Sequence, residues 1–217
     1  MAPILGYWNV RGLGEPIRLL LAYTGTEYED KRYTLGAAPE YDRTEWINDK
    51  QSLGLDFPNL PYYIDGDLKL SQSLAINRYI ARKNNLNGQS DEEKLRVDLV
   101  EQQLVDLNIG ITRIVYDPNY ETLKVDWLKN LPNNLQLLSQ FLGDRPFLAG
   151  ESVTYVDFIA YELLEKLNAL VPEEVSKVDN LKKFGDRVRS LPQIANYLKT
   201  APNVPFNGPM AQWGGSV

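Results

Sequence analysis

The hydrophobic rhythm of the chain changes once, at residues 84–93 (NNLNGQSDEE), and that change constrains the fold more than any other feature. Before it, short strand-like runs alternate with helical ones. Beyond it, the patterned segments repeat at helical spacing and none reads convincingly as a strand. The stretch between them is polar and aperiodic, which marks a boundary between two domains. The expected division is residues 1–83 as a mixed α/β domain, 84–91 as a linker, and 92–217 as an all-helical domain ending in a tail. The fold class is therefore α/β plus all-α, and 217 residues are ample for a buried core.

Within the first part, residues 4–7 read as a strand and 9–14 as a loop. Residues 15–23 read as a helix, with Pro16 in its first turn, Gly25 just past its end and an apolar stripe of Ile17, Leu20 and Leu21. A second strand at 28–33 and a short polar helix at 42–50 follow. Tyr62-Tyr63-Ile64, Asp65-Gly66-Asp67 and Leu68-Lys69-Leu70 have the pattern of a hairpin around an Asp-Gly turn, and residues 71–73 lead into a helix ending near Lys83. So little repetition excludes a doubly wound sheet and predicts a small mixed sheet with helices on its faces. The second part carries helical patterns at 92–116, 122–141, 155–170, 181–190 and 193–200, with Val171-Pro172 as a break. Thr154 and Asp157 have the spacing of a capping box. The tail, 202–217, is rich in Pro and Gly and is expected to run extended over the surface.

Two zeros in the composition narrow the chemistry. Without histidine there is no imidazole base, Ser-His-Asp triad or histidine metal site; without cysteine there is no disulfide, thiolate nucleophile or thiolate-bound zinc. An enzyme built from this chain uses Tyr, Ser, Lys or carboxylates, or a nucleophile carried in by its ligand. A net charge of −6 argues against nucleic acid as a partner, since phosphate neutralisation needs a basic surface. No apolar run approaches the ~20 residues of a membrane span, and the N-terminus lacks the pattern of a signal peptide, so a cytoplasmic protein is the expectation.

Each candidate for chemistry has an ordinary reading beside it. Gly12-Leu13-Gly14 precedes a helix, but the third glycine of a dinucleotide loop would fall at Ile17, which excludes that site. The pairs Glu92-Glu93 and Glu173-Glu174 read as solvated charges near helix starts. Tyr7 ends a strand just ahead of a loop and a helix start, where mixed α/β folds place ligands; alternatively it is a half-buried core tyrosine. Arg43, Trp46 and Lys50 share one face if they lie on one helix, either as a ligand cluster or as a solvated amphipathic face. Gln72 and Ser73 either cap a helix or hold a carboxylate against its free N–H groups. Leu60-Pro61 is a candidate cis bond that would present the Leu60 backbone to an extended, peptide-like ligand.

Leu5-Gly6-Tyr7-Trp8 with Arg11-Gly12, the run from Gly54 to Tyr62 (GLDFPNLPY), Gln72-Ser73 and Tyr155-Val156-Asp157-Phe158 together strongly resemble the mu class of cytosolic glutathione S-transferases. The resemblance covers essentially the whole chain, including Met210-Ala211-Gln212-Trp213-Gly214, and the stretch 38–50 is similar to the mu loop that shields the glutathione site. It implies a thioredoxin-like N-terminal domain, glutathione as co-substrate, no metal, and a cytoplasmic homodimer that conjugates glutathione to hydrophobic electrophiles in detoxification. The missing cysteine is then supplied by glutathione itself.

By that resemblance, Tyr7 stabilises the thiolate, and Trp8, Arg43, Trp46 and Lys50 hold the glycyl end of glutathione. Asn59 and Leu60 hold its cysteinyl backbone, and Gln72 and Ser73 its γ-glutamyl carboxylate. Asp106 approaches the γ-glutamyl amine from the neighbouring subunit; in a monomer it would be a solvated helix residue. Phe57 corresponds to the key residue that inserts into the partner's helical domain. The electrophile is expected against Val10, Leu13, Ile109, Thr112 and Tyr116, with Asn207 and Gly208 from the tail; Tyr116 would donate to a developing oxyanion. The competing expectation is a non-catalytic protein that sequesters hydrophobic ligands on the same fold.

Overall fold

The computed structural model describes residues 2–215. An N-terminal unit, β1 (Ile4–Trp8), α1 (Glu15–Tyr23), β2 (Glu29–Tyr33), α2 (Thr44–Lys50), β3 (Tyr62–Asp65), β4 (Leu68–Ser71) and α3 (Ser73–Lys83), forms a sheet with helices. The rest is helical: α4 (Asp91–Val115), α5 (Tyr120–Leu142), α6 (Tyr155–Leu170), α7 (Pro172–Ser176), α8 (Asp179–Arg189) and α9 (Pro192–Thr200). This is the thioredoxin-like arrangement of a mixed sheet followed by an all-helical domain.

The sheet order is β2-β1-β3-β4. β1 pairs parallel with β2, placing Tyr7 opposite Arg32, and antiparallel with β3, placing Gly6 opposite Tyr62; β3 and β4 close the hairpin. The Asp-Gly turn works because Gly66 sits at φ +62°, where a Cβ would be strained. Leu5 and Tyr63 join the core under α1 and α3. On the other face the Tyr62 ring lies over Gly6 and stacks on Trp46, and the Tyr62 and Tyr33 hydroxyls share a hydrogen bond at 2.9 Å. Gly6 is needed for that close approach, since a Cβ there would fall 2.1 Å from the Tyr62 ring.

Helix termini follow local chemistry. The Asp157 carboxylate accepts from the backbone N–H of Thr154 at 2.7 Å and of Leu148 at 2.9 Å, and from the Thr154 hydroxyl at 3.0 Å, fixing the start of α6. Burial pushes Asp157 up to about 6, against the donors that hold it down. A second box at the start of α4 joins Ser90 and Glu93, whose side chain and backbone exchange hydrogen bonds at 3.1 and 3.2 Å. The charges at 92–93 are thus not simply solvated. Val171-Pro172 is not a plain break either, because Pro172 opens α7 as Pro192 opens α9. Proline at the first helical position gives up an N–H that has no intrahelical partner.

α6 is central, packing against α1, α4, α7 and α8. Its buried residues include the charged Asp157, Glu162 and Lys166. The expectation of a tail running extended is corrected, although most of it does lie at the surface, with Val204, Phe206 and Asn207 buried. Residues 202–215 turn back on themselves, with Phe206 and Asn207 donating their N–H groups to Gly215 and Gly214 and the Phe206 and Trp213 rings stacked. The Arg11 and Gly12 N–H groups donate to the carbonyls of Pro205 and Phe206, so Phe206 is buried. An apolar ring and unpaired backbone groups at one strand end draw the tail inward. Ser216 and Val217, at the tail's end, lie outside the described residues.

Candidate functional site

Two adjoining cavities open where the end of β1 meets α4, α6 and the tail. The larger, about 910 Å³, is lined by Tyr7, Trp8, Val10, Leu13, Arg43, Ile109, Thr112, Tyr116, Asn207 and Gly208 among others. The smaller, about 290 Å³, is lined by Gln72, Ser73, Leu13 and Ile109 among others. Ten of the expected site residues therefore meet in the larger space although they come from opposite ends of the sequence. Leu13, Ile109 and Tyr116 are each about 40% exposed, and the exposure of these apolar surfaces is explained by the cavity.

Tyr7 reaches this position as the penultimate residue of β1. Its side chain is held by Gly12 and Gly14: a Cβ at Gly12 would come within 2.7 Å of the Tyr7 hydroxyl, and one at Gly14 within 2.6 Å of the ring. Its hydroxyl accepts from the Leu13 N–H at 3.1 Å, and burial raises its pKa above that of a free phenol. Tyr7 is consequently a neutral phenol whose acceptor side is occupied and whose proton is available to a ligand. Tyr116 is arranged alike, accepting from the Gly208 N–H at 2.9 Å. Asn207 is less available, because its side-chain amide donates to the Trp213 carbonyl at 3.0 Å.

The remaining candidates are placed differently. α2 begins at Thr44, so Arg43 is its N-cap and does not share a helical face with Trp46 and Lys50. Arg43 is exposed at the larger cavity, whereas Trp46 is buried against Tyr33 and Tyr62. Lys50, Asn59, Leu60 and Asp106 line neither cavity. The Leu60-Pro61 bond is cis, and the Leu60 N–H donates to the Asn59 side chain at 2.9 Å. Gln72 stands at φ +73° directly before α3, with no side chain capping the helix start. A non-glycine residue in that region points to a functional constraint. Asp106 is exposed on the single chain, and so is Phe57, on a loop tied down by the Ser71 hydroxyl donating to the Phe57 carbonyl at 2.6 Å.

Sequence reasoning missed a charged cluster. Arg11 grips Glu162 with two-pronged hydrogen bonds from its guanidinium, and Lys166, one turn further along α6, lines both cavities. Burial pushes Glu162 up to about 7 against the opposing pull of Arg11, and pushes Lys166 down to about 8 against that of Glu162. Nothing in the local pattern separates this Glu-Lys pair from an exposed one. Among the described residues, no Asp or Glu lines the larger cavity, and no cluster of three or more His, Cys, Asp or Glu could hold a metal. No helix of the described residues is long and apolar enough to cross a membrane.

Comparison with known proteins gives the same picture along the chain. Residues 3–82 match the glutathione S-transferase N-terminal domain, and residues 105–201 the glutathione S-transferase C-terminal domain. A glutathione S-transferase of Tyrophagus putrescentiae is 59% identical over 213 residues, covering 98% of this chain and 97% of that one. Glutathione S-transferase Mu 2 of Macaca fascicularis is 50% identical, covering 99% of each. Among solved structures, the glutathione S-transferase Blo t 8 superposes with a TM-score of 0.90 at 32% identity, over 97% of this chain and 99% of that one. The Pi-class enzyme of Onchocerca volvulus gives 0.86, also at 32%, over 98% and 100%.

Proposed function

The chain belongs to the glutathione S-transferase family, and from that premise we propose that it is a mu-class enzyme joining the thiol of glutathione to hydrophobic electrophiles. The observation that carries the reading is Tyr7: a buried, neutral phenol, engaged as an acceptor by Leu13 and free to donate into the larger cavity. A free thiol with pKa about 8.5 is only a few per cent ionised at neutral pH. One hydrogen bond from Tyr7, worth roughly 1.5–3 kcal/mol to an anion, lowers that pKa by about one to two units. The thiol proton is released to solvent on ionisation; the thiolate then attacks the electrophilic carbon, a C–S bond forms, and the leaving group departs with the electron pair of the bond it breaks. Tyr7 stabilises the anion without bonding to it covalently.

Glutathione is proposed to lie along the edge formed by β1, the Leu60 loop and the start of α3. Gln72 and Ser73 would take its γ-glutamyl carboxylate at the uncapped N–H groups of α3. Asn59 and Leu60 would take the cysteinyl backbone, and Trp8, Arg43, Trp46 and Lys50 the glycyl end. The electrophile is assigned to Val10, Leu13, Ile109, Thr112, Tyr116, Asn207 and Gly208. On this reading residues 1–83 are the glutathione domain, 84–91 the linker, and 92–217 supply the acceptor pocket. Asp106 would act across a homodimer that Phe57, 72% exposed, helps to form. The mu assignment is supported by full-length relatives named mu and by the motifs of the Leu60 loop. A detoxifying role in the cytoplasm follows from the same reading.

The test is conjugation. Incubated with glutathione and 1-chloro-2,4-dinitrobenzene, the protein is expected to release chloride and the dinitrophenyl thioether at a rate proportional to its concentration. Saturable binding of both compounds without turnover would instead establish a sequestering protein.

A further inference from the structure

Lys166 is not explained by the mechanism above. It is 6% exposed, it lines both cavities, and among the described residues no hydrogen bond or ion pair holds its ammonium. Its near neighbour Glu162 is already gripped by Arg11, so the trio of Arg11, Glu162 and Lys166 is net positive inside the protein. Burial lowers the amine to about 8, which leaves it protonated at neutral pH. A desolvated cation without a close partner is costly, and a ligand that brings an anion relieves that cost. The surroundings agree. In a chain of net charge −6, the larger cavity is lined by Arg43, Arg113 and Lys166 and, among the described residues, by no carboxylate; the smaller is lined by Lys166 and by Glu162, whose carboxylate is taken by Arg11. Arg43 belongs to the proposed glycyl end of glutathione, which leaves Lys166 and Arg113 on the acceptor side.

We propose that Lys166 is a specificity residue for electrophiles carrying a carboxylate or similar compact anion, which it binds at the wall between the two cavities. The proposal rests on the transferase reading for its kinetic consequence. Arg113, exposed at the same cavity, would attract such acceptors from solution, while Lys166, largely buried but with its ammonium facing the cavities, would discriminate among them. The reaction itself is unchanged: the thiolate displaces chloride from an activated aryl carbon, a C–S bond replaces a C–Cl bond, and chloride leaves with the electron pair.

The experiment compares 4-chloro-3-nitrobenzoate with its methyl ester, which differ in charge at one end, using wild type, Lys166→Met and Lys166→Arg. Lys166→Met is expected to raise KM for the benzoate at least tenfold, equivalent to about 1.4 kcal/mol. The ester and glutathione KM values are expected to move less than twofold, and Lys166→Arg to stay near wild type with the benzoate. Equal losses with both acceptors would reduce Lys166 to a structural residue, and a loss centred on glutathione would place its anion in the co-substrate; either result overturns the proposal. Calorimetric titration of 4-chloro-3-nitrobenzoate into protein saturated with S-methylglutathione needs no turnover. A tenfold weaker Kd in Lys166→Met supports the proposal, and an unchanged Kd overturns it. If wild type turns over neither these acceptors nor 1-chloro-2,4-dinitrobenzene, the transferase reading fails, while this titration still decides the role of Lys166. If Lys166→Met does not fold, Lys166→Gln replaces it in both arms.

Discussion

Replacing Tyr7 with Phe removes one oxygen that has two partners, and the two losses have different sizes and readouts. Towards the ligand, the variant loses a charge-assisted hydrogen bond of roughly 1.5–3 kcal/mol, so the pKa of bound glutathione is expected to rise by about one to two units. Towards the protein, the Leu13 N–H loses its acceptor at 3.1 Å, but it borders a cavity of about 910 Å³ that admits water. Stability should therefore fall by no more than about 1 kcal/mol. The ring stays packed between Gly12 and Gly14, so the site keeps its shape. A rise of about 1.5 units cuts the thiolate fraction at neutral pH by up to about thirtyfold, while the more basic thiolate is about fivefold more nucleophilic at a Brønsted slope near 0.45. The net loss in turnover is about three- to sixfold at pH 7; it shrinks as pH rises and reverses where both thiols are ionised and the more basic thiolate is the faster one. Near-ultraviolet titration of the bound thiolate and a pH profile of turnover check this. An identical thiol pKa in both proteins, or a loss that persists unchanged to high pH, would refute the argument.

Asp157→Ala orphans the buried N–H groups of Leu148 and Thr154 and should cost about 3 kcal/mol in denaturant unfolding, without changing the bound thiol pKa. Because the folded state raises Asp157 from 3.8 to about 6, it binds that proton more tightly than the unfolded chain does. The contribution to stability is full at low pH and declines as pH rises from about 4 to about 6. Asp157→Asn should remove that part of the slope in unfolding measured across the interval. Gly6→Ala would drive a methyl group into the Tyr62 ring, and thermal unfolding should show a loss of about 3 kcal/mol. Phe57→Ala should weaken self-association by about 2 kcal/mol in sedimentation, with the fold intact by circular dichroism.

The sequence by itself determined what neighbours within a few residues decide. Pro16 and Gly25 bracket α1, Asp65-Gly66 turns the β3–β4 hairpin, and Thr154 with Asp157 starts α6, because capping, turn geometry and apolar periodicity act over one or two turns of chain. The change of rhythm after α3 likewise separates the strand-containing part from the helical part. Local signals also misled where one residue type serves two purposes. At Val171-Pro172 the proline reads as a helix stop, and α6 does end at Leu170, but the same proline also starts α7; Ser90 with Glu93 hides a capping box inside a polar run. The motif residues were legible through their resemblance to a family, not through their spacing, and the tertiary structure divided them. Tyr7, Arg43 and Tyr116 meet in one cavity, Trp46 packs inside the N-terminal unit, and Asp106 and Phe57 face outward.

Only the tertiary structure decided the walls of the site. Arg11 meets Glu162 across 151 positions of sequence, and its backbone N–H meets the carbonyl of Pro205. Such contacts depend on how α6 and the tail pack against the loop after β1, which no short window encodes. Glu162 and Lys166 make the point most directly. Four residues apart on a helix, they read as an exposed ion pair of a few tenths of a kcal/mol. With α6 enclosed by α1, α4, α7 and α8, the same two side chains are buried, Arg11 takes the carboxylate, and the amine is left facing the cavity. Their spacing is a property of the sequence; the loss of water around them, which gives the charge its consequence, belongs to the fold.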